Sequence, residues 1–114
     1  MLGCDIVEID RIEKVLEKFG EKFLDKILSE REKLIYHQRK KAGLSFLAGR
    51  FAAKESISKS LKTGLGSMWF YDIEILCGEN GEPVVFIRGE KREDISVSIS
   101  HSRQHAIAVS LIKE

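Results

Sequence analysis

Between positions 50 and 59 the segment RFAAKESISK carries Arg50, Lys54, Glu55, Ser58 and Lys59 at spacings of one, three and four residues. On a helix, such spacings bring several of them to a common surface. A carboxylate flanked by lysines, among Phe51, Ala52, Ala53 and Ile57, has the residue types to hold a hard divalent cation beside an anionic ligand. Magnesium favours carboxylate oxygens combined with substrate phosphates, and one or two protein carboxylates suffice. The commoner meaning of the spacing is an i,i+4 ion pair between Glu55 and Lys59 on a solvated stripe. Both readings stand on spacing alone.

A second acid is needed for the metal reading. Asp5 lies between Cys4 and Ile6 in a run of β-formers, where a charge is costly unless it faces solvent, a partner or a cation. Glu8, three residues on, points to the opposite face of a strand and makes no pair with it. His101 ends the apolar face of ISVSISH, a place where a histidine more often finds an ordinary hydrogen bond than a catalytic task. Its neighbouring serines lack the GxSxG setting of a nucleophile elbow, and GLSFLAGRFAAKES lacks the order of a P-loop.

The elements that must position these residues follow from periodicity. Residues 2–9 form a strand. After Asp10, an N-cap type of residue, Ile12, Val15, Leu16, Phe19, Phe23 and Ile27 keep helical spacing with Gly20 as a break, so two short helices are predicted. Ser29 to Glu32 is a capping-box sequence that starts a helix running to about His37, followed by a basic connector, Gln38 to Lys41. From Ala42 to Leu61 the apolar residues cover nearly every side of a helix, which predicts burial all round. Gly64 or Gly66 suits the left-handed geometry beyond its end. Tyr71 to Leu76 and Val84 to Ile87 form a hairpin across Asn80-Gly81, and residues 95–101 and 105–112 form two more strands. The order is one strand, three or four helices and four strands, an α+β domain with an antiparallel sheet packed on a long buried helix.

The 114 residues hold one domain, 1–114, without room for a second core. With 43% hydrophobic and 32% charged residues the chain is in the globular range. A domain of this size buries about 60–70% of its unfolded surface and has little depth for a private pocket, so a large ligand calls for a neighbouring subunit. The net charge of +1 gives no global pull toward nucleic acid or a membrane. Cys4 and Cys77, without CxxC spacing, are expected as reduced core residues. No apolar run reaches spanning length and no basic region precedes one, which makes the cytoplasm the expected location.

Gly3-Cys4-Asp5-Ile6-Val7-Glu8-Ile9, Gly49-Arg50-Phe51-Ala52-Ala53-Lys54-Glu55 with Lys59 and Thr63-Gly64 behind it, Gly81-Glu82-Pro83, and Ser98-Ile99-Ser100-His101-Ser102 together resemble the holo-[acyl-carrier-protein] synthase family. These are the small-class 4′-phosphopantetheinyl transferases, and the likeness runs over essentially the whole chain. It implies Mg²⁺-dependent transfer of 4′-phosphopantetheine from coenzyme A to a serine of apo-acyl-carrier protein, with release of adenosine 3′,5′-bisphosphate, in the service of fatty acid and lipid synthesis. It also implies a homotrimer with the site across a subunit interface. By position, Asp5 and Glu55 match the family's metal ligands, and Glu55 and Lys59 its catalytic groups. Arg50, Lys54, Gly64, His101 and Ser102 match the coenzyme A site, His101 reaching Asp5 and Glu55 from a neighbouring chain, and Arg11 matches the arginine that contacts the carrier. Lys14, Lys18, Lys22 and Lys26 continue a basic ridge from Arg11, beside a parallel acidic row of Glu13, Glu17, Glu21 and Asp25. Lys62 stands where many members have glycine.

Two rival readings keep the fold but change the role. A noncatalytic RNA-binding module would use Arg50, Lys54, Lys59 and Lys62 as a phosphate patch, although Trp69, Phe70 and Tyr71 do not alternate with basic residues. A regulatory subunit would bind coenzyme A without turnover, which leaves Asp5, Glu55 and Lys59 without a purpose.

Overall fold

The computed structural model describes residues 1–61, 66 and 68–113. The chain runs through β1 (Leu2–Glu8), α1 (Ile9–Phe19), α2 (Glu21–Ile27), α3 (Glu30–Gln38), α4 (Gly43–Ser60), β2 (Ile73–Cys77), β3 (Pro83–Ile87), β4 (Glu90–Lys91), β5 (Ile95–His101) and β6 (His105–Ile112). Two three-stranded antiparallel sheets result, ordered β1-β6-β5 and β2-β3-β4. The helix α4 lies across β1, β5 and β6, while β3 packs against β5.

Burial of α4 on every side follows from its composition. Ala52, Ala53 and Ile57 join Ile73, Ile75, Val85 and Val97 in a core between the sheets. Phe46, Leu47 and Ala48 join Ile9, Ile12, Leu24 and Leu28 in a second core beneath the short helices. Small residues let the layers close. Gly3 is the tightest point: a Cβ there would come within 2.1 Å of the Ser56 carbonyl oxygen and 2.9 Å of Ser110 Oγ. On the same flank, Ser110 Oγ shares hydrogen bonds with Ser56 Oγ at 2.8 Å and Ser60 Oγ at 2.9 Å.

Local signals set most boundaries. Gly20, at φ 57°, separates α1 from α2, a conformation that costs glycine little. Ser29 caps α3 with both halves of the capping box formed, its Oγ accepting the Glu32 N–H and Glu32 accepting the Ser29 N–H. The Asn80-Gly81 turn joins β2 to β3, with Cys77 opposite Pro83.

Four expectations shift. Glu8, with extended backbone, and not Asp10, occupies the N-cap of α1, and the Ile9 N–H is met by the Gln104 carbonyl at 2.8 Å. Strand β2 starts at Ile73 rather than Tyr71, since Phe70–Asp72 forms a 3-10 turn in which Asp72 accepts the Trp69 N–H. A two-residue strand, β4, extends the second sheet. Cys4 and Cys77 are free thiols as expected, yet exposed rather than in the core, because Cys4 falls on the outward positions of β1 and Cys77 at the open end of β2.

Gly3→Ala is expected to lower the unfolding free energy by about 2–3 kcal/mol or more, since a helix backbone oxygen must yield to the new methyl. A urea titration against wild type measures it.

Candidate functional site

Strand β1 alternates, turning Gly3, Asp5 and Val7 toward α4 and Leu2, Cys4, Ile6 and Glu8 outward. Asp5 and Glu8 are thus on opposite faces. Asp5 is largely covered, its carboxylate accepting a hydrogen bond from Lys59 Nζ at 2.9 Å. The same ammonium donates to the Cys4 carbonyl at 3.3 Å. Lys59 therefore forms its ion pair across elements with Asp5, rather than along the helix with Glu55.

Glu55 is one turn earlier on α4 and half-buried. Its carboxyl is raised above the ordinary value by burial first and by the Asp5 charge second, with Lys59 opposing both. Lys59 is raised in turn, chiefly through its hydrogen bond to Asp5. Asp5 and Glu55 border one open cleft of about 500 Å³. Its apolar wall is Ile12, Val15, Phe23 and Phe51, and its rim carries Glu8, Arg11 and His105.

Two like charges facing a common space, one of them raised, form an electrostatic environment that a cation relieves. The donor set is two hard oxygens from separate elements. Among the described residues, no group of three or more His, Cys, Asp or Glu converges as a closed metal cage would require. Such a set fits an ion that keeps several waters or takes phosphate oxygens, as magnesium does.

A model of the 4′-phosphopantetheinyl transferase superfamily matches residues 1–110. The chain belongs to that superfamily. Within it, the chain is 49% identical to a holo-[acyl-carrier-protein] synthase of Geobacillus sp. (strain WCH70), over 98% of this chain and 94% of that protein. It is 40% identical to one from Aliivibrio fischeri (strain MJ11), over 98% and 95%. Among solved structures, the Helicobacter pylori holo-[acyl-carrier-protein] synthase in complex with coenzyme A has a TM-score of 0.83 at 36% identity, covering 99% of this chain and 100% of that one. The Bacillus anthracis synthase in complex with CoA (3′,5′-ADP) has a TM-score of 0.82 at 37% identity, covering 97% and 93%.

In this phosphopantetheinyl transferase fold, Asp5, Glu55, Lys59 and Arg11 come together around the cleft. Other expected site residues do not join them. Lys54 has no exposed surface and donates to Glu32 at 2.5 Å and to the Ile27 carbonyl at 2.6 Å. Arg50 turns the same way, its Nε donating to the Ile75 carbonyl at 3.1 Å and its guanidinium 4.4 Å from the Phe46 ring centre. Both side chains are turned into the fold in this chain, Lys54 completely and Arg50 with 10% of its side chain exposed. His101 is exposed at the end of β5, away from the cleft. Ser102 sits in the following turn, its Oγ accepting the Gln104 and His105 N–H groups at 3.3 Å. Gly64 and Lys62 lie outside the described residues. Lys14, Lys18, Lys22 and Lys26 are exposed alongside Arg11.

The sequence reading missed His105 and Phe51 as cleft residues. Pairing of β1 with β6 places His105 opposite Glu8; the strand register, once known, was the signal. Phe51 precedes Glu55 by one helical turn and so shares its face.

Because the folded protein raises the Glu55 carboxyl, the native state there binds more protons than the unfolded chain, and stability falls as pH rises. The penalty is absent below the unfolded carboxylate value and fully present above the raised one. In metal-free buffer, Glu55→Gln is therefore expected to melt at a higher temperature than wild type at pH 7, with the difference closing toward pH 4. Thermal melts across that range check the sign.

Proposed function

We propose that this chain transfers 4′-phosphopantetheine from coenzyme A to a serine hydroxyl of apo-acyl-carrier protein, releasing adenosine 3′,5′-bisphosphate. The observation that carries this reading is the convergence of Asp5 and Glu55, 50 positions apart, on one cleft beside Lys59. Relatives of the chain are holo-[acyl-carrier-protein] synthases, and coenzyme A is held by the Helicobacter pylori member.

Asp5 and Glu55 would hold Mg²⁺, which when bound supplies charge neutralisation for the pyrophosphate as the phosphoanhydride breaks. The serine oxygen attacks the phosphorus that bears the pantetheine arm. A new P–O bond forms, the anhydride P–O bond breaks, and its electron pair leaves on the 5′-phosphate of the nucleotide. Glu55, which borders the cleft, suits the task of taking the serine proton directly or through water. Lys59, more than half exposed and on a flexible stem, can move its ammonium toward the leaving phosphate.

Arg11 stands on the rim next to the apolar wall and leads the exposed row of lysines, a surface suited to an acidic helix of a carrier protein. The outer face of β1 and β6 supports a homotrimer. Leu2 is opposite Leu111, Cys4 opposite Val109 and Ile6 opposite Ile107, and the aliphatic members are 39–71% exposed. So much apolar surface on one sheet face marks an interface, and a neighbouring chain seated there would bring its own His101 and Ser102 toward the cleft. The described residues contain no helix long and apolar enough to cross a membrane, and we place the protein in the cytoplasm. The RNA reading loses support, because two of its four cations, Arg50 and Lys54, are inside the fold.

Incubation with coenzyme A, Mg²⁺ and apo-carrier protein, followed by intact mass, is expected to add one phosphopantetheine to the carrier; an unchanged mass rejects the reading. Glu55→Gln should lower the rate by at least about 100-fold while the chain stays folded. In the same assay Arg11→Ala should raise KM for the carrier at least about tenfold and that for coenzyme A by less than about twofold. Equal effects would remove Arg11 from the docking surface.

A further inference from the structure

Glu32 has no exposed surface, although the capping box alone would leave it at a solvent-facing helix start. Its Oε1 accepts the Ser29 N–H at 2.9 Å and the Lys54 ammonium at 2.5 Å. Its Oε2 accepts the Ile75 N–H at 2.8 Å and has Arg50 Nε at 4.0 Å. Lys54 also donates to the carbonyl of Ile27, the last residue of α2. One carboxylate and one ammonium thereby tie α2, α3, α4 and β2 to a point.

Buried ion pairs are a poor source of stability, because desolvation offsets most of their attraction. Burial indeed pulls the Lys54 ammonium down from its usual range, with Glu32 pulling it back. What such a pair supplies is direction, since each charge must meet its partner and a rotated helix would strand both. Successive helical residues are about 100° apart. Lys54 fixed on the Glu32 side and Ser56 fixed on the Ser110 side leave Glu55, between them, one outward bearing, toward β1 and Asp5.

We infer that the Glu32–Lys54 pair is a positioning device, aiming the Glu55 carboxylate at the space it shares with Asp5. Neither residue touches substrate. The inference rests on the proposed role of Asp5 and Glu55 as metal ligands, and supporting residues of this kind are worth about 10–100-fold in metal affinity.

The test compares Lys54→Met, Lys54→Arg and the double variant Glu32→Gln/Lys54→Met with wild type as full chains. Lys54→Met leaves the buried Glu32 carboxylate only Arg50, at 4.0 Å, as an ion partner and should melt lower; the double variant, which removes both charges of the pair, should recover part of that loss. Mn²⁺ affinity, read by electron paramagnetic resonance, should nevertheless fall at least about tenfold in the double variant. Its kcat should fall while KM for the carrier changes by less than about twofold. Lys54→Arg should regain part of the Mn²⁺ affinity. A double variant that melts and binds Mn²⁺ like wild type overturns the inference. Glu55→Gln binding Mn²⁺ as tightly as wild type would instead sink the metal reading. A crystal structure of the double variant then decides the positioning alone: a Glu55 carboxylate displaced from Asp5 upholds it, and one superposing on the wild-type position ends it.

Discussion

The like charges of Asp5 and Glu55 share one cleft because the backbone that carries each is fixed. Asp5 is fixed by the pleat of a strand paired along its whole length with β6, and Gly3, two residues earlier on the same face, is pressed against the α4 backbone. Glu55 is fixed because α4 is buried toward both sheets and toward the short helices. Partial burial and, after it, repulsion from Asp5 raise its carboxyl, a cost borne by the packing around it. Strained electrostatics of this sort gather at functional sites, and here the strain is what suits the pair to a cation.

Much of the scaffold was legible before any coordinates. Apolar residues spread round 42–61 announced a helix buried on all sides, Gly20 announced a break, Ser29 a cap and Asn80-Gly81 a hairpin, each through a local chemistry that tertiary context had no reason to override. What such a helix withholds is its rotation. An amphipathic helix shows its outward face by its polar stripe; α4 has no dominant stripe, so the sequence does not tell that Lys54 and Glu55, adjacent in the chain, face the core and the cleft. The burial of Glu32 was hidden for a related reason. Its place in the capping box was clear, but the three other elements that close over it come from positions up to 43 residues away.

Lys54 and Lys59 show how far environment separates two residues of one type on one helix. Desolvation dominates at Lys54 and lowers it; the hydrogen bond to Asp5 dominates at Lys59 and raises it. The first is committed to the scaffold with no exposed surface, whereas the second is 54% exposed at its side chain. Only the second can follow a ligand. A supply of cations counted from sequence therefore overstates what the cleft can offer, since Arg50 is committed as Lys54 is.

That shortfall bears on assembly. Coenzyme A carries three phosphates, and around this cleft the described cations are Lys59 and Arg11, with His105 at the rim. The cleft is also open, and about 500 Å³ is small for a ligand of that length. The sheet next to it turns Leu2, Ile6, Ile107, Val109 and Leu111 to solvent, and its far strand ends in His101. In the proposed homotrimer, a chain whose cleft is open and offers few described cations, and whose adjoining sheet is uncovered, would meet both needs with one contact. In that assembly, covering the apolar face would remove it from water and set a neighbour's strand ends at the cleft mouth, so that the hydrophobic effect that would hold the subunits together would also supply groups that a single domain of 114 residues has little surface to provide.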